Sequence, residues 1–396
     1  MLLGRLLPLT VLLGWPLLAP ATTVLVLQFH NSSQQTDLNW VGESIAERLR
    51  VEFNAGNQIV LSRESQTEAL RKLSLKPDAD FTKASLIKLG QSLDVNFVCY
   101  GSYDFKLPEA SSSIRDSSIQ ITARFLDLRR MRDGTDVTET GKLADLSRLE
   151  EHLAWQSLKY IEPTLDLPLQ QFLNPQKFIR LEAEESYSRG LLSPPGDQQQ
   201  KWLMQAAAID PHFAGPAFEL GKLAVARKDY RQALTWFGRI PVTDQRYPEA
   251  RFRMGLAAYG ANDFSGAANH FRELAKLYPL NEVFNNLGAA EGQTNAPAAA
   301  GDLRRALDGD GADAIYQFNV GLALMKTAAF EEAAKLFERV TDRDPDDREA
   351  ANLLSRARQH DASSGGNRVI PFRLKQNFDG IAFRQLKAML QPKGSN

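Results

Sequence analysis

Residues 321–337 decide the fold, and they read GLALMKTAAFEEAAKLF. In this stretch Ala333 stands twelve residues after Gly321, and Phe337 stands four residues further on. The apolar residues recur every three to four positions on both sides of a short turn, which is the period of amphipathic helices. The stretch therefore predicts two antiparallel helices that cross closely, because their contact is made by small residues.

The same spacing occurs upstream, where glycines follow one another at intervals of 34, 33 and 33 residues. The array resembles the tetratricopeptide repeat (TPR) family, which implies an α-solenoid built from helix pairs. The positions assigned to the family pattern are Gly221, Ala233, Phe237, Gly255, Ala267, Phe271, Pro279, Gly288, Ala300, Gly321, Ala333, Phe337 and Pro345, with Arg304 in place of the third phenylalanine. We expect about five pairs plus a capping helix over residues 177–359. Four clear units begin near Ala214, Pro248, Asn281 and Ala314, and a degenerate unit covers residues 177–211.

The first half of the chain has a different periodicity. Strands are predicted from Val24 and at residues 58–61, 96–102 and 118–127, and helical patterns cover residues 41–53, 63–73 and 82–93. Strands that alternate with helices predict a small α/β domain with a mixed sheet, at residues 22–161. The whole chain is thus expected to be α/β plus all-α.

This half also carries a resemblance, in residues 38–47, 62–64, 95–102 and 121–127, which read LNWVGESIAE, SRE, VNFVCYGS and ITARFLD. They resemble the amino-terminal domain of the TolB family. The resemblance implies a small module that makes contacts in the bacterial envelope. From the residues themselves, Trp40 is expected to pack on the sheet, Gly42 to permit close approach of the helix, and Glu43 to favour the positive end of the helix dipole.

The chain ends and the linkers have their own compositions. Residues 1–21 carry one positive charge, an apolar run and an Ala-Pro-Ala site, so they are expected to be a signal peptide, which implies a periplasmic or, alternatively, a secreted protein. Prolines mark a linker at residues 162–176, and serines and glycines mark a flexible one at residues 360–367. The only cysteine, Cys99, lies in an apolar run and is expected to be a buried small hydrophobe.

The resemblance to the TPR family implies a solenoid whose concave side exposes the first helix of each pair and holds a partner peptide or helix. The residues assigned to this groove are Phe218, Lys222, Phe252, Tyr259, Asn285, Phe318 and Met325. Aromatic residues and methionine suit an apolar peptide, Asn285 suits its backbone, and Lys222 suits an acidic group. The alternative is that these aromatic residues pack between helices as core.

Residues 368–396 form a further unit, with apolar residues among Lys and Arg, and an amphipathic helix is expected at about residues 378–390. In order of preference, it would dock on the solenoid, bind a partner, or lie on an anionic membrane surface.

Composition and motifs restrict the function. The formal net charge of -1 excludes the basic excess typical of nucleic-acid binding. The five histidines are scattered, and strings typical of serine hydrolases, zinc proteases and nucleotide-binding loops do not occur. We therefore expect no catalytic residues, no cofactor and no metal. Two classes remain: a protein-binding scaffold, and a sensor whose α/β domain binds a small molecule and whose repeats relay the signal.

Overall fold

A computed structural model describes residues 22–106, 113–173, 178–294, 296–361, 370–377 and 379–390. The expected signal peptide at residues 1–21 lies outside the described residues, and so does most of the flexible linker at residues 360–367.

The amino-terminal half contains a mixed sheet. Its strands are β1 Thr23–Val26, β2 His30–Asn31, β3 Ile59–Val60, β4 Phe97–Lys106, β5 Ser118–Asp127, β6 Arg132–Asp133 and β7 Val137–Lys142. Within the described residues the order is β3-β1-β4-β5-β6; β2 also pairs with β4, and β7 with β5. The pairs β1/β3, β1/β4 and β2/β4 are parallel, whereas β5 runs antiparallel to its neighbours.

Helices cover both faces of the sheet. They are α1 Trp40–Ala55, α2 Arg63–Lys72, α3 Lys83–Ser92 and α4 Leu146–Ile161. Successive side chains of a strand point to opposite faces, so Val24 and Val26 join the apolar core under α1 and α4, while Leu25 and Leu27 join the core under α2 and α3. The mixed α/β domain predicted from the alternating patterns is confirmed.

The start of α1 is closely packed. Trp40 is buried in the core, and a Cβ atom on Gly42 would lie 2.1 Å from the Phe29 carbonyl oxygen, so only glycine fits there. Glu43 lies in the first turn of α1, as expected, and it is buried, with ion pairs at 2.9 Å to both Arg50 and Arg63. Both arginines help to offset the cost of burying its charge.

The proline-containing linker is packed rather than extended away from the domain. It contains a short helix, α5 Leu169–Phe172, whose Phe172 is buried in the same core as α1 and α4. Trp155 also donates a hydrogen bond from Nε1 to the Leu167 carbonyl oxygen at 2.8 Å. The described residues of the linker therefore extend the α/β domain.

The remaining described helices form the solenoid and the chain end. Five antiparallel pairs in this part are α6 Leu181–Leu192 with α7 Asp197–Ile209, α8 Ala214–Ala226 with α9 Tyr230–Phe237, α10 Tyr247–Gly260 with α11 Phe264–Leu277, α12 Asn281–Gly292 with α13 Ala296–Gly309, and α14 Ala314–Lys326 with α15 Phe330–Arg343. They are followed by α16 Arg348–Arg358 and α17 Gly380–Leu390. The all-α solenoid is confirmed.

Small residues have the expected role at the helix crossings. A Cβ atom on Gly221, Gly255 or Gly321 would lie 2.5, 2.5 or 2.9 Å from the phenylalanine ring of the following helix. The alanines twelve residues after these glycines are fully buried. Turns between the paired helices are tight, because Lys228, Asn262 and Ala328 adopt φ values of 59°, 62° and 60°.

The third clear repeat differs from the expected register. Gly288 faces Leu303, whose Cγ would lie 2.6 Å from an added Cβ atom, and Ala299 is fully buried while Ala300 is half-buried. The assignment of Ala300 to the family pattern is therefore corrected to Ala299. The physical reason is that α13 begins eight residues after Gly288, whereas the second helices of the other clear repeats begin nine residues after their glycines, so α13 is rotated and Arg304 faces solvent.

Candidate functional site

Three rings assigned to the groove lie within the helix pairs: Phe218, Phe252 and Phe318, whose exposed fractions are 8, 1 and 0%. Each ring meets the phenylalanine of the second helix edge to face, with centroids 5.8, 5.5 and 5.8 Å apart. This packing agrees with the alternative that these aromatic residues are core between helices, although the Phe318 ring also contacts Arg373 of the carboxy-terminal segment, whose guanidinium lies 3.4 Å from its centroid.

The other assigned residues divide into two groups. Lys222 lies away from the rest, with its Nζ 3.2 Å from Glu64 of the α/β domain. In contrast, Tyr259, Asn285 and Met325 surround residues 370–377 of this same chain, which we term the tail strand. The structure thus brings part of the expected groove together around an internal occupant.

Side-chain amides hold the main chain of the tail strand. Asn319 accepts a hydrogen bond from the Arg373 N–H at 2.8 Å and donates to its carbonyl oxygen at 2.7 Å. Asn286 does the same for Lys375, with both distances 2.8 Å. Asn285 adds a bond of 3.1 Å to the Arg373 carbonyl oxygen. All three asparagine residues are fully buried, and they also bond to one another: Asn285 donates to Asn286 at 3.0 Å and accepts from Asn319 at 2.8 Å. The tail strand satisfies much of the remaining hydrogen-bonding capacity of these amides.

The two amide clamps are equivalent by position. Asn286 stands two residues before Gly288, and Asn319 stands two residues before Gly321. One repeat of the solenoid therefore corresponds to two residues of bound strand. Alternate residues of an extended chain point the same way, so Phe372 and Leu374 share one side while Arg373 and Lys375 share the other.

Phe372 occupies an aromatic pocket in the groove. It is 3% exposed, and a Cβ atom on Gly292 would lie 2.5 Å from its ring. The Lys326 ammonium lies 4.6 Å from the ring centroid, within the range of a cation–π contact, and donates to the Gly292 carbonyl oxygen at 2.9 Å. Burial lowers the pKa of Lys326. The Tyr259 hydroxyl closes the pocket by donating to the Phe372 carbonyl oxygen at 3.2 Å.

Basic side chains of the tail strand meet acids of the solenoid. Arg373 forms two hydrogen bonds to the Asp347 carboxylate, at 2.6 and 2.9 Å, and lies 3.3 Å from Glu349. These bonds hold the pKa of Asp347 below its ordinary value. The Arg373 guanidinium also stacks 3.4 Å from the centroid of the Phe318 ring. Lys375 pairs with Asp313 at 2.5 Å.

The helix that follows the tail strand docks on a second surface. In α17, the ring of Phe383 lies 4.9 Å from that of Tyr278, and Leu386 joins the same apolar cluster. Lys387 reaches the α/β domain, with its Nζ 3.5 Å from the Ala55 carbonyl oxygen. The described part of the carboxy-terminal segment thus contacts both domains, as the preferred self-docking alternative expects.

Buried charges join the α/β domain to the solenoid. Arg48 of α1 lies 3.0 Å from Glu151 and 3.7 Å from Glu150, both on α4, and 3.4 Å from Glu184 on α6. Burial raises the pKa of Glu150 to about 7 and, together with the Glu150 charge, raises that of Glu184 well above its ordinary value. A single guanidinium does not neutralise these carboxylates.

A cleft of about 1010 Å³ opens beside this cluster. Its walls carry groups of both charges from both domains, including Glu47, Arg48, Glu184, His212 and Arg246. In the described residues, no group of three or more His, Cys, Asp or Glu side chains is arranged to hold a metal ion.

Sequence reasoning missed the residues that hold most of the tail strand, namely Asn286, Asn319, Asp313 and Asp347. A signal was present for two of them. The tripeptide Asn-x-Gly occurs at residues 286–288 and again at residues 319–321, so the asparagines lie 33 residues apart, at the repeat interval. The two acids also recur, 34 residues apart, but both occupy helix N-caps, where aspartate is common anyway, so their spacing does not point to a ligand.

Comparison with known proteins supports the repeat assignment. Family models described as tetratricopeptide repeat match residues 249–281, 288–348 and 321–361. No curated protein matches the chain. The carboxy-terminal half therefore contains tetratricopeptide repeats, in the part of the chain occupied by α10 to α16.

Several solved structures resemble parts of the chain at low sequence identity. YrrB, described as a TPR protein with an unusual peptide-binding site, is 15% identical; the match covers 40% of this chain and 82% of that chain, with a TM-score of 0.36. The MamA protein is 17% identical over 37% of this chain and 81% of that one, with a TM-score of 0.35. The carboxy-terminal domain of LpoB from Salmonella enterica is 12% identical over 31% and 83%, with a TM-score of 0.23.

Proposed function

We propose that the protein is a non-enzymatic scaffold of the bacterial cell envelope, in which the solenoid groove binds an extended segment of a partner protein. The observation that supports this most directly is the pair of amide clamps, Asn286 and Asn319, on the main chain of the tail strand. Bonds to main-chain groups suit any extended peptide, whatever its side chains. The groove therefore suits an extended peptide segment.

The α/β domain is the second docking surface of the proposed scaffold. Its resemblance to the TolB amino-terminal domain favours a second docking surface for an envelope protein. The expected signal peptide at residues 1–21 favours the periplasm, with secretion as the alternative.

Among the described helices, none is both long enough and apolar enough to cross a bilayer.

An affinity capture from envelope extract tests the scaffold. The mature chain would be compared with an Asn286→Ala, Asn319→Ala variant and with a control, Asn269→Ala, at an exposed position of α11. We expect the mature chain and the control to retain the same specific proteins and the double variant, still folded by circular dichroism, to lose them. Capture of the same set by all three would refute the groove as the binding surface.

The cleft supports a second candidate function, the sensor. Charges from both domains line it, so a small polar molecule bound there would contact the α/β domain and the solenoid together. A thermal-shift screen with charged metabolites tests this, since a ligand that binds only the folded chain raises the melting temperature. If no compound does so, the sensor is refuted and the scaffold is unaffected.

A further inference from the structure

We propose that the groove selects partner segments of one chemistry, an extended strand with an aromatic residue followed by Arg, an aliphatic residue and Lys. The chain's own tail strand, Phe372 to Lys375, is then a built-in competitor that such a partner must displace. The inference rests on the proposed function and names the ligand of the same groove.

Selection begins with spacing. The clamps Asn286 and Asn319 are one repeat apart and hold residues that are two positions apart in the strand. A bound segment must therefore be extended over at least four residues. The rise per residue is only 1.5 Å in a helix, against about 3.3 Å in a strand, so helical residues two positions apart would lie too close together to reach both clamps.

The aromatic position is selected by shape. The pocket wall is Gly292, where the absence of a side chain leaves the space that the Phe372 ring fills. The Lys326 ammonium lies above the Phe372 ring and forms a cation–π contact with it. An aliphatic side chain at this position would fill the pocket less completely and would lose that contact, and an acidic one would be buried beside a single cation.

The basic positions are selected by charge and geometry. Asp347 receives two parallel bonds from Arg373, a planar fork-to-fork arrangement that lysine cannot reproduce. Lys375 meets one carboxylate, Asp313, and lies 5.1 Å from the Tyr316 ring. Acidic residues at either position of the strand would face carboxylates of the solenoid, so the groove also rejects segments of the opposite charge.

Competition follows from covalent attachment. The tail strand is joined to α16 through residues 359–369, which include two serines and two glycines in succession at residues 363–366. A short tether gives the tail strand an effective concentration on the order of millimolar at the groove. The apparent affinity of a free segment of the same sequence is therefore lower than its affinity for an empty groove. Displacement would also release α17 from Ala55 of the α/β domain.

The probe is a fluorescent synthetic peptide with the sequence of residues 368–377, RVIPFRLKQN. Its binding would be measured by anisotropy to the full mature chain and to the same chain carrying Phe372→Ala and Arg373→Glu. We expect the tail variant to bind at least tenfold more tightly, because its own strand no longer competes. A peptide with glutamate at the Arg373 position should lose this binding, and so should the tail variant after Asn286→Ala and Asn319→Ala are added.

Hydrogen exchange at the Lys375 amide shows whether the tail variant has released its strand. Three results would each overturn the inference. The tail variant could show fast exchange of this amide and yet not bind the peptide, both chains could bind the peptide equally, or the amide could stay protected in the tail variant. Peptide binding together with failure of the envelope capture would instead refute the scaffold while leaving the selectivity of the groove intact.

Discussion

Replacing Asn286 by alanine isolates one clamp of the groove. The substitution removes two hydrogen bonds to the Lys375 main chain, both of 2.8 Å. A typical hydrogen bond contributes about 1 kcal/mol net, so the closed state of the tail strand loses roughly 2 kcal/mol. Since 1.4 kcal/mol corresponds to a factor of ten, the opening equilibrium should rise about 30-fold.

Native-state hydrogen exchange measures this at the neighbouring Arg373 amide. That N–H keeps its own acceptor, Asn319, in the variant, so its exchange reports release of the strand rather than loss of its bond. We expect protection at Arg373 to fall about 30-fold, to fall less in Asn286→Asp, which keeps the acceptor, and to stay unchanged in Asn269→Ala. Unchanged protection at Arg373 in Asn286→Ala would refute a tail strand that is held and released as one unit.

Three other substitutions test separate parts of the structure. The pKa of Glu150 in the folded chain is raised to about 7, so its protonated form stabilises the fold fully below about pH 4.5, and this stabilisation is lost as the pH rises through 7. Over that interval the free energy of unfolding, measured by urea denaturation, should fall by about 3 kcal/mol. Glu150→Gln should reduce this fall, and equal pH profiles of the two chains would contradict it. Ala328→Gly should raise the free energy of unfolding by about 1 kcal/mol, since alanine is strained at a φ of 60°; no rise in the denaturation midpoint would argue against that backbone conformation. Gly292→Ala should expel the Phe372 ring and speed exchange of the tail-strand amides without lowering the melting temperature, whereas unchanged exchange would refute the aromatic pocket.

Much of the fold could be predicted because it depends on local period. Strand β5 has the predicted bounds, Ser118–Asp127, and the repeat glycines pack against the following helix as their spacing indicates. The register of the third repeat could not be predicted by a constant offset. Its second helix begins one residue closer to the glycine than in the other clear repeats, which moves the buried positions to Ala299 and Leu303 while the glycine interval stays at 33.

The site was less accessible from sequence. Apolar residues of the first helices were expected to face a ligand, but Phe252 packs inside its own pair, and pattern alone does not distinguish a groove ring from a core ring. The contacts of Arg48 with Glu151 and Glu184 join residues 103 and 136 positions apart, and the tail strand returns over a similar distance to reach Asn286. Such contacts depend on how the domains pack, which local periodicity does not encode.

Photo-crosslinking from inside the groove shows whether the groove binds a partner protein. A photoreactive aromatic residue would replace Tyr259, which contacts the tail strand, in the full mature chain and in the chain carrying Phe372→Ala and Arg373→Glu. After irradiation in envelope extract, we expect crosslinks mainly to the chain's own tail in the first case and, in the second, more crosslinks to a partner segment with an aromatic residue followed by Arg. Crosslinks to no other protein in either chain would contradict the groove as a partner-binding surface.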